Sequence, residues 1–194
     1  MSEVRSTFEL SVGATAPEFE LPDGGGESVG LGALAGGKKA VVVVFACNHC
    51  PFVVHLADAI GACSSDYAGR GVQFVAISSN DVANYPADAP EKMVAFAEAH
   101  GWDFPYLYDE SQEVAKAYSA ACTPDFYVFD GELGLVYAGQ FDGSRPGNGV
   151  PVTGEDIRAV LDGVLSGEGY GGEQRPSSGC NIKWKAGNEP AYFG

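Results

Sequence analysis

Five consecutive residues, Cys47-Asn48-His49-Cys50-Pro51, have the types and spacing to do redox chemistry. Two cysteines with two residues between them can close a disulfide across the first turn of a helix. The free amides and the dipole at a helix N-terminus stabilise a thiolate there. His49 adds a cation or a donor beside the sulfurs. Both effects lower the pKa of the first cysteine, toward the range of about 3.5–7.5 that such motifs reach. Cys47, the more exposed end of the motif, is the expected nucleophile. Cys50, packed into the first turn, is its partner. The same two sulfurs would be half of a structural zinc site, but no second Cys-x-x-Cys is present to complete one. The remaining cysteines are Cys63, Cys122 and Cys180. An odd number at irregular spacing makes a poor disulfide framework and suits reactive thiols better.

These residues must be positioned by the elements around them. Lys39–Ala46 is apolar and β-branched at successive positions, which predicts a strand buried on both faces. A helix follows from Pro51, a residue favoured at the first helical position. Val53, Leu56, Ala57, Ile60, Cys63, Ser64 and Tyr67 form its inner stripe, so Cys63 reads as a buried structural thiol and His55, opposite the stripe, as solvated. Val72–Ser78 is a second central strand. Pro90–His100 is a second helix, with a structural His100 near its end, and Phe104–Tyr108 is short and extended. Asp109 is the expected cap of a helix running to about Tyr118. Asp125–Asp130 and Gly134–Gln140 form a hairpin. Thr153-x-x-Asp156 opens the last helix. Residues 1–16 read as an irregular lead-in, and Gly167–Gly179 as a flexible tail. The order β-α-β-α-β-α-β-β-α predicts an α/β protein, a thioredoxin-like three-layer α/β/α sandwich over a mixed sheet. Residues 1–168 are the expected domain, and residues 169–194 a C-terminal tail that packs on it.

Composition narrows the function classes. Against 26 Asp and Glu there are only 11 Lys and Arg among 194 residues, a formal charge of −15. That balance argues against a nucleic-acid partner, which needs clustered cations. The acidity is spread along the chain, as a solubility feature or as an adaptation to a high-salt cytoplasm. The longest apolar run, Ala40–Cys47, is far short of the roughly 20 residues of a membrane helix. The N-terminal residues lack a secretory pattern, so a cytoplasmic location and no membrane partner are expected.

The segments FACNHCPFV, SSNDVANYPADAPEKM, CTPDFYVFD and PSSGCNIKWK resemble the peroxiredoxin-like (redoxin, AhpC/TSA-like) branch of the thioredoxin superfamily, across about residues 13–190. The resemblance implies a thioredoxin fold and thiol redox chemistry. It makes Pro124 the candidate cis-proline opposite the Cys47–Cys50 motif, with Thr123 supporting the site and Cys122 close to Cys47. His49 in the dipeptide resembles the more oxidising members, whose potentials lie nearer about −120 to −180 mV than −270 mV. Two departures bear on peroxide chemistry. Peroxidases of this type carry Thr or Ser three residues before the reactive cysteine, whereas Val44 precedes Cys47 and Cys47 precedes Cys50. Their arginine ahead of the hairpin strand has no counterpart in 120–125.

The leading expectation is a thiol–disulfide oxidoreductase that reduces, oxidises or isomerises disulfides and needs no cofactor. Its partners would be a disulfide-containing protein or small thiol and a thiol reductant. The alternatives are a thiol peroxidase with Cys122 or Cys180 as resolving thiol, a copper or zinc protein using Cys47, His49, Cys50 and Cys122, and a redox sensor without turnover. A Gly-rich stretch ahead of Cys180 would reach about 20 Å. Ile182, Trp184, Tyr192 and Phe193 need a surface to bury on, so the terminal segment is expected to fold back. Cys180 would then be a candidate partner for Cys47, Cys50 or Cys122 if Cα atoms come within about 7 Å.

Overall fold

A computed structural model describes residues 3–193. At its centre is a five-stranded sheet in the order β6-β5-β4-β8-β9. Every residue of β4 (Ala40–Phe45) is buried. Because successive side chains of a strand point to opposite faces, its valines supply both sides of the sheet at once. Ala40, Val42 and Val44 join one core, and Val41, Val43 and Phe45 the other. β5 (Val72–Ser78) runs parallel to β4, and β6 (Tyr106–Tyr108) parallel to β5. β8 (Asp125–Asp130) and β9 (Leu135–Gly139) close the other side as an antiparallel hairpin. Helices α2 (Pro51–Ala68), α3 (Pro90–Ala99) and α5 (Glu155–Ser166) contribute to the first core, as Ile60, Met93 and Val160 do. The second core takes Leu31 of α1 (Leu31–Ala35), Ala115 of α4 (Glu113–Ala117), and Ile182 and Trp184 of the C-terminal segment. This is the thioredoxin-like α/β/α sandwich with a mixed sheet that the element order predicted.

The stripe of α2 is buried as its spacing required, from Val53 to Tyr67. Two helix starts differ from expectation. Asp109 does not cap a helix in its own first turn. It accepts the amide of Ala115 from outside (2.9 Å), and α4 begins after Gln112, which adopts a left-handed φ of 66°. The last helix starts after Gly154 rather than Thr153, because Asp142 takes the amides of Thr153 and Gly154 at 2.8 and 2.7 Å. Asp156 is then free to bind Gln140 and Arg175.

The chain ends depart furthest from the sequence reading. β1 (Glu3–Arg5), β10 (Ser178–Asn181) and β7 (Cys122–Thr123) form a small antiparallel sheet in the order β1-β10-β7. Residues expected to be an irregular lead-in therefore supply a strand. β2 (Glu20–Pro22) and β3 (Ser28–Gly30) make a separate hairpin around the glycine turn. The Gly167–Gly179 stretch, expected to be flexible, is tied down along its length. Gly169 donates to Gly163 (3.0 Å), Gln174 accepts the amide of Ala138 (2.7 Å), Gln140 donates to the carbonyl of Arg175 (2.8 Å), and Ser177 donates to Ser6 (2.9 Å).

Gly139 makes the approach of that stretch possible. Its φ is +146°, and a Cβ there would stand 2.0 Å from the carbonyl oxygen of Arg175. Gly139→Ala is expected to lower stability by about 1–3 kcal/mol, the usual cost of overpacking, and to expose residues 167–179 to limited proteolysis. Unchanged denaturation midpoint and cleavage pattern would contradict this account of the segment.

Candidate active site

β4 ends at Phe45 and α2 begins at Pro51, so Cys47 and Cys50 occupy the turn between a central strand and a helix N-terminus. Cys50 is the N-cap of α2. β7 and β8 meet across the way at Thr123-Pro124, joined by a cis peptide bond. Register fixes the distance: β8 pairs with β4 up to Phe45 opposite Asp125, so the residues just before β8 face those just after β4. Thr123 meets both sulfurs. Its carbonyl oxygen is 3.2 Å from Cys50 Sγ, and its hydroxyl is 3.5 Å from Cys47 Sγ.

The expected difference in exposure between the two cysteines is absent. Cys47 is 1 % exposed and Cys50 is fully buried. The two thiols shift in opposite directions. Cys47 is raised well above an ordinary thiol, first because its S–H is held by Cys50, then by burial, then by the negative charge of Asp88. Cys50 is lowered to about 5, chiefly by the hydrogen bond from Cys47, with burial opposing and Thr123, Cys180 and the first-turn amide of Val53 assisting. The carbonyl of Thr123 works against this charge, since it can accept only from a protonated Cys50. Cys47 and Cys50 hydrogen-bond to one another, so the pair shares a proton, and the neighbouring donors favour the charge on Cys50.

The ring of His49 is claimed by Asp88. Its Nδ1 is 2.7 Å from Asp88 Oδ2, and because a carboxylate only accepts, the ring proton lies on Nδ1. Asp88 was not singled out from sequence, yet it organises the turn. It is fully buried and accepts the backbone N–H groups of Asn48 (2.8 Å) and His49 (3.2 Å), the ring of His49, and Asn80 Nδ2 (2.8 Å). Tyr106 donates to Asn48 Oδ1 (3.0 Å), and Tyr85 stacks on the His49 ring at 5.7 Å. The signal for Asp88 is indirect: a lone carboxylate between Pro86 and Pro90, in a segment with no apolar periodicity. Cys47, His49 and Asp88 offer ligand atoms within 4.8 Å of one another. A cation there would have to displace donors, because each Asp88 oxygen already accepts two.

The other expected site residues scatter. Cys122 turns away from Cys47 and donates to the carbonyl of Pro124 (3.7 Å), and burial pushes it well above an ordinary thiol. The cluster of Cys47, His49, Cys50 and Cys122 considered for a metal is therefore not assembled among the described residues. Cys63 is buried in the core as expected and raised by burial to about 11. His55 is not simply solvated: its Nε2 lies 2.7 Å from Ser144 Oγ. His100 pairs with Asp58 at 2.6 Å, a structural contact. Cys180 lies on β10 opposite Thr123 and interacts with Cys50.

Residues 12–138 match the AhpC/TSA family. The chain belongs to that family. A protein of Mycobacterium tuberculosis named as a peroxiredoxin is 32% identical over 114 residues, 59% of this chain and 67% of the relative. The crystal structure of a conserved protein from Geobacillus kaustophilus superposes with a TM-score of 0.92 at 53% identity, covering 95% of this chain and 97% of that one. A thiol:disulfide interchange protein (DsbE) structure from Chlorobium tepidum has a TM-score of 0.63 at 20% identity, over 81% of this chain and 99% of that one, and shares the fold alone. The AhpC/TSA assignment agrees with the resemblance seen in the sequence, and makes the chain a thioredoxin-like redox protein.

Two predictions follow from the charges. The thiolate on Cys50 should make alkylation of the reduced protein nearly independent of pH from 8 to 6. Below about 5 the rate should fall roughly tenfold per unit, with peptide mapping placing the adduct on Cys50; early labelling of Cys47 instead would reverse the assignment. The second concerns Asp125, fully buried beside the cis-proline. Burial raises its carboxyl to about 7 against hydrogen bonds from Ser6 and Tyr127. Folded Asp125 thus holds its proton where the unfolded chain has lost it. Its contribution to stability falls as pH rises from about 4 to 7, by on the order of 4 kcal/mol in all. Asp125→Asn should remove that slope from the stability–pH curve measured by denaturant unfolding.

Proposed function

We propose that this AhpC/TSA chain is a thiol–disulfide oxidoreductase in which Cys47 and Cys50 cycle between dithiol and disulfide. The observation that carries the reading is Thr123, next to cis-Pro124, in contact with both sulfurs at a strand–helix turn. A thiolate of the pair, resting on Cys50, attacks one sulfur of a substrate disulfide. A mixed disulfide forms, the substrate S–S bond breaks, and the leaving thiolate takes up the proton held on Cys47. The Cys47 thiolate so formed attacks Cys50 Sγ, the Cys47–Cys50 bond closes, and the second substrate thiolate departs. The substrate is reduced by two electrons and the pair is oxidised by two. An external thiol returns the pair to the dithiol.

A peroxidase reading is favoured by the lowering of Cys50 to about 5 by the donors around it. Against it, Cys47 stands where a peroxide-binding Thr or Ser would, three residues ahead. The cationic side chains near the site act on its neighbours, Arg145 on Cys122 and Lys183 on Cys180.

The deciding measurement compares a small aromatic disulfide with hydrogen peroxide, each supplied with a dithiol donor. Turnover of the disulfide, lost in both Cys47→Ser and Cys50→Ser, is the expected outcome. Peroxide consumption that survives in Cys47→Ser and vanishes in Cys50→Ser would replace this reading with the peroxidase one.

A further inference from the structure

Cys180 stands at the pair by construction of the small sheet. On β10 it lies directly opposite Thr123 in the antiparallel register, with Asn181 opposite Cys122. Thr123 is the residue whose carbonyl and hydroxyl touch the two sulfurs, so the strand that carries Cys180 runs along the backbone that positions the pair. Gly179 sets how close that strand comes: a Cβ at this position would lie 2.0 Å from the Thr123 carbonyl oxygen, too near for any side chain. β10 also packs against α2, whose N-cap is Cys50. Cys47, Cys50 and Cys180 share one buried cluster. The thiols of Cys180 and Cys50 interact directly, each altering the other's proton affinity.

We propose that Cys180 is a third redox thiol of this site, and that it exchanges with the Cys47–Cys50 disulfide to form a Cys50–Cys180 disulfide. The proposal rests on the thiol–disulfide reading above, which supplies the oxidised pair. Cys180 loses its proton and its sulfur attacks Cys50 Sγ. The Cys50–Cys180 bond forms, the Cys47–Cys50 bond breaks, and Cys47 leaves as a thiolate that takes up the proton. One disulfide replaces another, with no net oxidation or reduction and no further reactant. The outcome frees Cys47 while the chain remains oxidised, and it staples the terminal strand to the N-terminus of α2. The short strand β10 is thereby more than a cover for the edge of β7: it delivers a sulfur to the site from 130 residues further along the chain.

The test uses the full-length chain, oxidised with one equivalent of diamide, blocked with an alkylating agent, digested without reduction and sequenced by fragmentation. Wild type should contain a fraction with residue 50 linked to residue 180 beside the 47–50 form. Cys47→Ser should carry the 50–180 link as its main disulfide. Cys50→Ser should carry no link to residue 180, and Cys180→Ser only the 47–50 bond. Absence of the 50–180 link from wild type overturns the proposal, whether or not Cys47→Ser forms it, because the exchange is then not reached in the intact site. The same digests separate this failure from failure of the underlying reading: a 47–50 disulfide in Cys180→Ser leaves the oxidoreductase cycle standing, and its absence there removes both.

Discussion

Thr123 reaches residues 73 and 76 positions away in sequence through two oxygens of a single residue. Its place is set by the sheet rather than by the site. Antiparallel pairing of β8 with β4 puts Asp125 against Phe45, and the chain just outside that last pair on either strand can only be Thr123-Pro124 on one side and the cysteine turn on the other. Both faces of β4 are buried, so a shift in register would move every valine to the wrong core. The hydrophobic pattern of a six-residue strand thereby fixes the geometry of a thiol pair that it does not contain. The third partner of Thr123, Cys180, adds no new constraint on the sheet. It uses the free edge of β7 that the β4–β8 pairing leaves exposed.

Burial then decides how the thiols share their protons. A buried thiolate needs donors, and nearby cations are one source. Among the described residues, no lysine or arginine contributes to the shifts of the pair. The charged neighbour of Cys47 is Asp88, an anion, which raises that thiol. Charge settles on the sulfur farther from Asp88 and nearer the helix amides, where Cys47, Thr123 and Cys180 all donate or can donate. Asp88 itself is tolerated in the interior because four donors surround it, two of them backbone amides of the cysteine turn. It both holds the turn in shape and biases which end of the turn carries the charge.

How much of this the sequence discloses depends on how local each cause is. β4, β5 and α2 are written in short-range patterns: an unbroken β-branched run, a second such run, and an apolar stripe at helical spacing. Pro124 is different: its place just ahead of a strand marks it only together with the family resemblance. β1, β7 and β10 have sequences Glu-Val-Arg, Cys-Thr and Ser-Gly-Cys-Asn, too short and too polar to show alternation, and each is a strand only because the others are. A glycine-rich stretch reads as flexible from composition, yet at Gly139 and Gly179 the absence of a side chain is what lets backbone pack on backbone. The partner of His49 was illegible for a similar reason. Helix position and a neighbouring histidine are visible locally, but the carboxylate that claims the histidine lies 39 residues downstream, on a different loop.

Because the donors that lower Cys50 are neutral, short-range groups, its charge is decoupled from the −15 of the chain as a whole. Salt screens interactions between exposed charges over about 10 Å at 0.1 M, but it has little access to a thiol–thiolate hydrogen bond inside a closed core. A surface dense in carboxylates would raise an exposed thiol and make it sensitive to ionic strength. Burying both sulfurs removes that dependence, at the cost of limiting access from outside. The terminal strand brings a cysteine of its own into the same buried cluster, so what the site loses in contact with solvent it regains as a thiol within the fold.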